Sequence, residues 1–510
     1  MSTERQFSQG VAWMAIGGWT EQAFNFAIFV VLARILGAEA FGLLAMAAAF
    51  VVLSEFLVRD TLSEYIIAHD APDPDDLNAV FWMLAGLGIA LVAALVSAAP
   101  WIARFYGDPQ IGDLMSALSP TVALVALTAV PVALLRREMQ FRILALRAVA
   151  GVVAGGIVGL GLAIAGAGVW ALVGQRLTVV GVNVVLAWGA SDFRPGWVKQ
   201  PDPNRRRRIM AFGYPVLSLR AAELATVQVP TLILGAVAGP LATGYYAYSW
   251  RLVEAASMLI VTPLRMVSQP AFASLRRAEG SANALFDDLA RLASLLAFPA
   301  FTGLAVLSAA FLAVIGGANW IAAAPLLSAL AIVGARSVVV QIEQSFCLAH
   351  GRVTPLAVTA WAEVCLIALA MALAAPYGAA SMTWAMTGVL LLMWGVRIVI
   401  VARVADLRPQ ILLRRYIEAA ALAALVGVAL ALWCRVATGW SPLAVLLSGV
   451  LIGAAACAAL ARVLLPQSLA VARRYTLQAK RRGPTARAAS KPDLPAPDLP
   501  APPTTSGDAS

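Results

Sequence analysis

Two stretches of the chain share one design: "LARILGAEAFGLLAMAAAFVVLSEFLV" (Leu32–Val58) and "LILGAVAGPLATGYYAYSWRLVEAASMLI" (Leu232–Ile260). Each is an apolar run, a Gly-x4-Gly turn and a second apolar run. A shift of 202 residues carries Gly37 onto Gly239 and Gly42 onto Gly244. Glycine suits such a turn because it takes backbone conformations closed to residues with a Cβ. The same shift carries Glu21, in the segment leading to the first turn, onto Glu223, in the segment leading to the second. Glycines are common here, so two coincidences among them weigh little. An acidic residue embedded in apolar sequence at the same offset weighs more. The competing reading is a stack of unrelated hairpins in which Gly-x4-Gly only makes a tight turn.

Composition says what the apolar runs are. Of 510 residues, 61% are hydrophobic and 13% charged, and the mean hydropathy is +0.83. Soluble domains run near 45–50% apolar and about 25% charged. This chain is therefore an all-α polytopic membrane protein. A crossing needs roughly 20 mostly apolar residues. Fourteen spans follow, near 10–34, 41–62, 79–102, 113–135, 146–166, 168–189, 212–236, 241–263, 289–315, 320–345, 354–376, 378–402, 413–434 and 442–465. The first carries Glu21, Gln22 and Asn25 and is too long and polar for a cleaved signal segment, so it is expected to stay.

The repeat then has a scale. Each copy holds six spans, and an even number restores the orientation, so the copies are parallel repeats about an axis along the membrane normal. The expected organisation is an N-lobe over 1–211, a C-lobe over 212–404, two further spans over 405–465 and a disordered tail over 466–510. The tail opens basic (Arg473, Arg474, Lys480, Arg481, Arg482), suited to anionic headgroups, and ends Pro-rich. Alternate loops collect Arg and Lys, among them Arg136, Arg137, Arg142 and the run Arg205 to Arg208, which predicts both termini on the cytoplasmic side. The loop "HDAPDPDDLN" dissents in sign, but acidic residues count little in this rule. Loop bias and tail account for the net charge of +10 without nucleic acid.

Several chemistries are excluded. The four cysteines lie in or beside apolar runs with no metal spacing, and there are only two histidines, His69 and His350. No nucleotide-binding GxxxxGK[ST] occurs, and no cofactor motif is present. The predicted outer loops are too short for a catalytic domain. Trp13, Trp82, Trp101, Trp170, Trp188, Trp320 and Trp440 sit near span ends, as interfacial anchors do.

Ten ionisable residues are placed well within the predicted spans: Glu21, Glu55, Arg176, Arg220, Glu223, Arg251, Glu254, Arg336, Glu343 and Glu363. Each costs about 2.5–3.5 kcal/mol or more at a helix centre unless it faces protein or water. Arg220 with Glu223 and Arg251 with Glu254 are i,i+3 neighbours, and for them pairing and substrate contact stand level. Arg176 and Arg336 have no acid within one turn, so they are the leading anion-binding candidates, one in each lobe. Glu21, Glu223, Glu55, Glu343 and Glu363 are ion-coupling candidates, with bridging between helices as the alternative. Tyr248, Arg251, Glu254 and Ser257 form a polar stripe on the eighth span.

These residues also carry a family likeness. The first stretch, and in the second Gly244, Tyr245, Tyr246, Arg251, Val267, Pro270, Phe272, Ala273 and Leu275, resemble bacterial polysaccharide transporter flippases. That family lies within the multidrug/oligosaccharidyl-lipid/polysaccharide exporter superfamily. The likeness covers the first twelve spans and identifies a family, not a substrate. It implies movement of undecaprenyl-diphosphate-linked oligosaccharide units from the inner to the outer leaflet of the bacterial inner membrane. It also implies alternating access between two six-helix lobes, an ion gradient as driving force, and a place beside a polysaccharide polymerase and export machinery. Arg251 is the one candidate that is itself a motif position. Other exporters of the superfamily, a peptidoglycan-precursor flippase or a drug/cation antiporter, remain alternatives, as does a membrane polymerase or ligase. The acidic loop and the mixed sign of the intramembrane charges depart from a purely cationic lumen.

Overall fold

The computed structural model describes residues 3–59, 73–197, 214–277 and 282–481. His69, the start of the acidic loop, the run Arg205 to Arg208 and the Pro-rich end of the tail lie outside the described residues. Among those described, every regular element is helical. In order they are α1 (Thr3–Arg59), α2 (Pro74–Tyr106), α3 (Pro109–Leu118), α4 (Pro120–Arg137), α5 (Phe141–Ile164), α6 (Trp170–Ala190) and α7 (Tyr214–Arg277). Next come α8 (Ala282–Val306), α9 (Ser308–Ile315), a 3-10 turn (Ala318–Ala323), α10 (Ala324–Ala349) and α11 (Thr354–Ala374). A turn (Ala375–Tyr377), α12 (Gly378–Val404), α13 (Pro409–Val436), α14 (Pro442–Leu464) and α15 (Pro466–Arg481) complete the described chain.

The sequence punctuates these helices in recognisable ways. Proline occupies the first turn of α2, α3, α4, α13 and α14, where its missing N–H has no intrahelical partner to lose. Asp108 caps α3 by accepting from the Gln110 N–H at 2.9 Å, and Gly107 closes α2 in the left-handed conformation. Large apolar side chains point outward along the spans, for example Ile157, Leu392 and Leu451. Outward apolar faces suit lipid and not water.

Eleven helical stretches among the described residues are long and apolar enough to cross a membrane. Three of them, Gly17–Arg59, Leu217–Leu264 and Thr354–Val404, are 43, 48 and 51 residues long, room for two crossings each. The first two break at a glycine, and the third at the turn before Gly378. Splitting those three in two gives fourteen stretches, one overlapping each predicted span.

The two opening glycines behave alike. Gly37 has φ 76° and ψ 178°, and Gly239 has φ 77° and ψ −176°, a region open in practice to glycine alone. Five residues on, α1 and α7 cross in near backbone contact. A Cβ on Gly42 would lie 1.7 Å from the Pro240 carbonyl oxygen, and one on Gly244 would lie 1.8 Å from that of Ala38. Ala38 and Pro240 are themselves related by the 202-residue shift, so the contact is reciprocal. That is the signature of a local two-fold, and unrelated hairpins would not produce it.

Two hydrophobic cores flank the crossing. One gathers the second half of α1 with α2, α3, α4 and α6 around Met46, Leu84, Leu114 and Val122. The other joins the first half of α1 to α7 and the later helices around Leu32, Phe286, Phe346 and Met386.

Two expectations are corrected. Trp320 is not an interfacial anchor: it is 1% exposed, stacks on Tyr248 at 3.9 Å and donates its indole N–H to the Ala33 carbonyl at 3.2 Å. The tail does not begin as disordered chain. Residues 466–481 form α15, held to α8 by Arg291 to Gln467 at 3.1 Å and Arg474 to Asp288 at 2.7 Å.

The crossing makes a direct prediction. Gly42→Ala and Gly244→Ala each drive a methyl into a carbonyl and should destabilise the detergent-solubilised protein by about 3 kcal/mol. Gly181→Ala, where no atom lies within 4 Å, should be neutral or slightly stabilising. Thermal unfolding midpoints of the three variants decide it.

Candidate functional site

The intramembrane charges fall into three groups. In the first, Glu55 of α1 is 3% exposed and accepts from Thr121 Oγ1 of α4 at 2.7 Å and Arg176 Nη2 of α6 at 2.6 Å. Arg59, one turn along α1, approaches the same carboxylate at 3.6 Å. The expectation that Arg176 lacks an acidic partner is thus corrected. Its partner lies 121 residues away, where a search within one helical turn cannot look. The pair is lopsided: the Arg176 side chain is 42% exposed and that of Glu55 only 4%. Nearby, Glu21 stands within electrostatic reach of Arg147 on α5, and Arg147 within reach of Arg59 and Arg136. Cations outnumber carboxylates in this group.

The second group is buried in the later helices. Arg336 Nη2 of α10 meets Glu363 Oε1 of α11 at 2.5 Å, with both side chains 7% exposed. Further along α10, Glu343 faces Arg397 of α12 at 3.6 Å and accepts from Tyr416 OH of α13 at 3.0 Å and Trp394 Nε1 of α12 at 3.3 Å. The expectation that Arg336 is unpartnered is corrected for the same reason as for Arg176. Glu55, Glu343 and Glu363 each bond to side chains of other helices. Isolated buried charges are prohibitive, so each is offset by an opposite charge or a donor from another helix.

Arg397 and Arg147 are not among the ten charges picked out of the spans by sequence. The signal is there: each is a cation inside a predicted span, Arg397 within "MWGVRIVIV". With these two added to the ten, six arginines stand against six glutamates. The apparent acidic excess disappears.

The third group lies on α7. Arg251 and Glu254 approach at 3.7 Å, with side chains 51% and 41% exposed, and the Arg251 guanidinium lies 6.0 Å from the Phe29 ring centroid of α1. Arg220 is exposed and Glu223 half-buried. The polar stripe on this helix is split, for Tyr248 is fully buried against Trp320 while Arg251 looks outward. Of the signature positions around it, Phe272 is buried and meets Phe346 edge-on at 5.5 Å. A half-exposed arginine in a membrane-length helix is costly against lipid and favourable against a water-filled space. The geometry therefore separates Arg176, Arg220 and Arg251, which are half exposed, from Arg336 and Arg397, which are enclosed.

Reciprocal glycine crossing, fourteen crossings and paired intramembrane charges together define a polytopic all-helical membrane protein of the transporter type. Residues 31–325 match the polysaccharide biosynthesis protein family, and the chain belongs to it. It is 24% identical over 328 residues to the succinoglycan biosynthesis transport protein ExoT of Rhizobium meliloti (strain 1021), a match covering 64% of this chain and 65% of that protein. It is also 24% identical over 343 residues to the lipopolysaccharide biosynthesis protein WzxC of Escherichia coli (strain K12), covering 66% and 68%. The chain thus spans about two thirds of the length of these relatives. In fold it resembles the lipid II flippase MurJ in an inward closed conformation, with a TM-score of 0.69 at 12% identity over 89% of this chain and 99% of that one. An inward-facing multidrug resistance transporter of the MATE family follows at 0.55, with 15% identity over 76% and 96%.

The buried pairs should behave differently from the exposed one. Arg397→Met alone strands Glu343 and should cost about 3–5 kcal/mol, much of it recovered in Arg397→Met with Glu343→Gln. Removing either partner of Arg251–Glu254 should change stability by no more than about 1 kcal/mol. A double-mutant cycle on unfolding of the purified protein measures both.

Proposed function

We propose that this chain is an inner-membrane flippase. It moves undecaprenyl-diphosphate-linked oligosaccharide repeat units from the cytoplasmic to the periplasmic leaflet for exopolysaccharide or O-antigen assembly. Residues 1–211 and 212–404 act as two lobes that alternate access around the α1–α7 crossing, residues 405–465 pack against the second lobe, and both termini are cytoplasmic. In this reading the protein transports and does no covalent chemistry.

The observation that carries the proposal is the trio of half-exposed arginines, Arg176, Arg220 and Arg251, on membrane-length helices that belong to both lobes. A lipid-linked substrate keeps its chain in the bilayer, but its diphosphate cannot cross hydrocarbon unaided. Arginine suits that group because its planar fork donates paired hydrogen bonds to phosphate oxygens. Arg147, with Arg59 and Arg136 in reach, adds positive potential on the first lobe's side. Family membership and a relative named as a succinoglycan transport protein support the substrate class. Arg336, enclosed with Glu363, is assigned to holding its own lobe together and not to the headgroup. Glu21 and Glu223, at equivalent places in the two repeats, are the proposed coupling carboxylates.

In a deletion strain the lipid-linked intermediate should accumulate on the cytoplasmic leaflet, and the intact gene should clear it. Arg251→Ala should lower export about tenfold or more while reaching the membrane in normal amount, and Arg251→Lys should keep part of it. Full export by a stably inserted Arg176→Ala, Arg251→Ala protein would sink the arginine assignment.

Coupling has its own test. Export by the Glu21→Gln protein should lose its dependence on an imposed pH gradient. Unchanged dependence would leave Glu21 as no more than the partner of Arg147.

A further inference from the structure

Helices α8, α13 and α14 enclose a cleft with two unlike ends. At one end a cavity of about 380 Å³ is lined by Arg291 of α8, Arg414 and Arg415 of α13, and the first turn of α15. Along the same three helices lies a second cavity of about 430 Å³ whose lining is almost wholly apolar, from Leu307, Leu430, Gly449 and Cys457 among others. The two are in line. Along α8, Arg291 lies at the polar end and Leu307, the residue just past the helix, at the apolar end, about 24 Å apart at 1.5 Å per residue. On α13 the order runs from Arg415 to Leu430. On α14 it runs backwards, from Leu464 at the polar end to Cys457 and Gly449.

The charge at the polar end is incompletely neutralised. Arg291 and Arg415 both lean on one carboxylate, Asp287, the former at 3.1 Å. Arg414 pairs with Glu418 at 2.8 Å but keeps 82% of its side chain exposed. Two carboxylates therefore answer three guanidinium groups. The first turn of α15 at Pro466, Gln467 and Ser468 adds the positive end of a sixteen-residue helix. A cationic pocket followed by a long apolar channel is complementary to a molecule with an anionic head and a hydrocarbon chain. The bilayer supplies one in that orientation and at high concentration.

The geometry points to a binding site for one anionic phospholipid of the surrounding bilayer, its phosphate in the arginine pocket and an acyl chain along the apolar cleft. About 24 Å of channel exceeds the half-thickness of the hydrocarbon core, roughly 15 Å, so a chain from one leaflet fits without reaching the other. The site is separate from the half-exposed arginines Arg176, Arg220 and Arg251 and does not depend on the transport reading. It gives α13 and α14 a lipid-facing role, in which an anionic lipid ties α8, α13 and the start of α15 together at the membrane surface.

The full chain reconstituted in phosphatidylcholine vesicles, probed with chain-spin-labelled phosphatidylglycerol and phosphatidylcholine, tests this. The protein should immobilise phosphatidylglycerol about fivefold or more in preference to phosphatidylcholine. Arg414→Gln with Arg415→Gln should abolish the preference. Ala454→Trp, which fills the apolar cleft, should shrink the immobilised population of both labels. Equal immobilisation of the two labels by the unaltered protein, or a preference that survives both variants, overturns the proposal. Two competitors separate the sources of phosphate. Inorganic phosphate that displaces the label would mark a bare anion pocket. Undecaprenyl diphosphate that displaces it at equal mole fraction would give the cleft to a polyprenyl lipid. Either result also overturns the proposal, and retention of the label against both upholds it.

Discussion

Helices α1 and α7 meet so closely only because Gly42 and Gly244 lack a Cβ, and the other contacts at this end of the molecule follow from that approach. With the backbones in contact, each glycine faces the carbonyl four residues before the other, so the two helices are set about a local two-fold. The left-handed breaks at Gly37 and Gly239 turn both helices at the same height. Trp320 closes over the crossing, bonded to Ala33 and stacked on Tyr248, while Arg34 donates to the carbonyls of Val314 and Ile315 at the end of α9. In a membrane, where helices gain little from hiding apolar surface, such close packing and shared polar contacts are what fix an interface.

The charges divide according to their distance from that crossing and their exposure. Arg336–Glu363 and Arg397–Glu343 are sealed among α10 to α13, and every one of their partners comes from a different helix. Their role is to specify which helices neighbour which, since a misplaced helix would leave a naked charge in a dry interior. Arg176 and Arg251 are paired too but stay about half exposed, the first bonded tightly to buried Glu55 at 2.6 Å and the second loosely to Glu254 at 3.7 Å. Only in Arg251–Glu254 do both groups keep much of their contact with water, so only that pair costs little to break.

Much of this was legible in the sequence, and the failures have one cause. Hydropathy located fourteen crossings because lipid demands long apolar runs whatever their neighbours. Two glycines and a glutamate at one offset disclosed the repeat because a backbone turn is a local event. Pairing is not local. Arg176 and Arg336 read as solitary in sequence because no acid lies within one helical turn of either, while Glu55 and Glu363 sit on other helices. Trp320 looked like an interfacial anchor because a span end and a buried crossing read alike in one dimension. The tail from Pro466 looked unstructured because its composition turns polar, yet its first sixteen residues coil once α8 offers Asp288 and Arg291 as partners.

The last two spans show how far composition can mislead about attachment. By likeness they are the weakest part of the chain, and the family match stops at residue 325, before any of the sealed pairs. Yet Tyr416 of α13 donates to Glu343 at 3.0 Å and packs against Trp394 at 5.0 Å between ring centres. Glu343 in turn answers Arg397. Removing α13 would take away one of the donors that make this carboxylate tolerable in a dry interior, and would open α8 along its whole apolar side. Helix α13 is therefore a constituent of the charge network of α10 and α12 and not an appendage to it. Because α13 also lines the cleft that runs from Arg415 to Leu430, the buried charge network and the apolar cleft are two faces of the same helix.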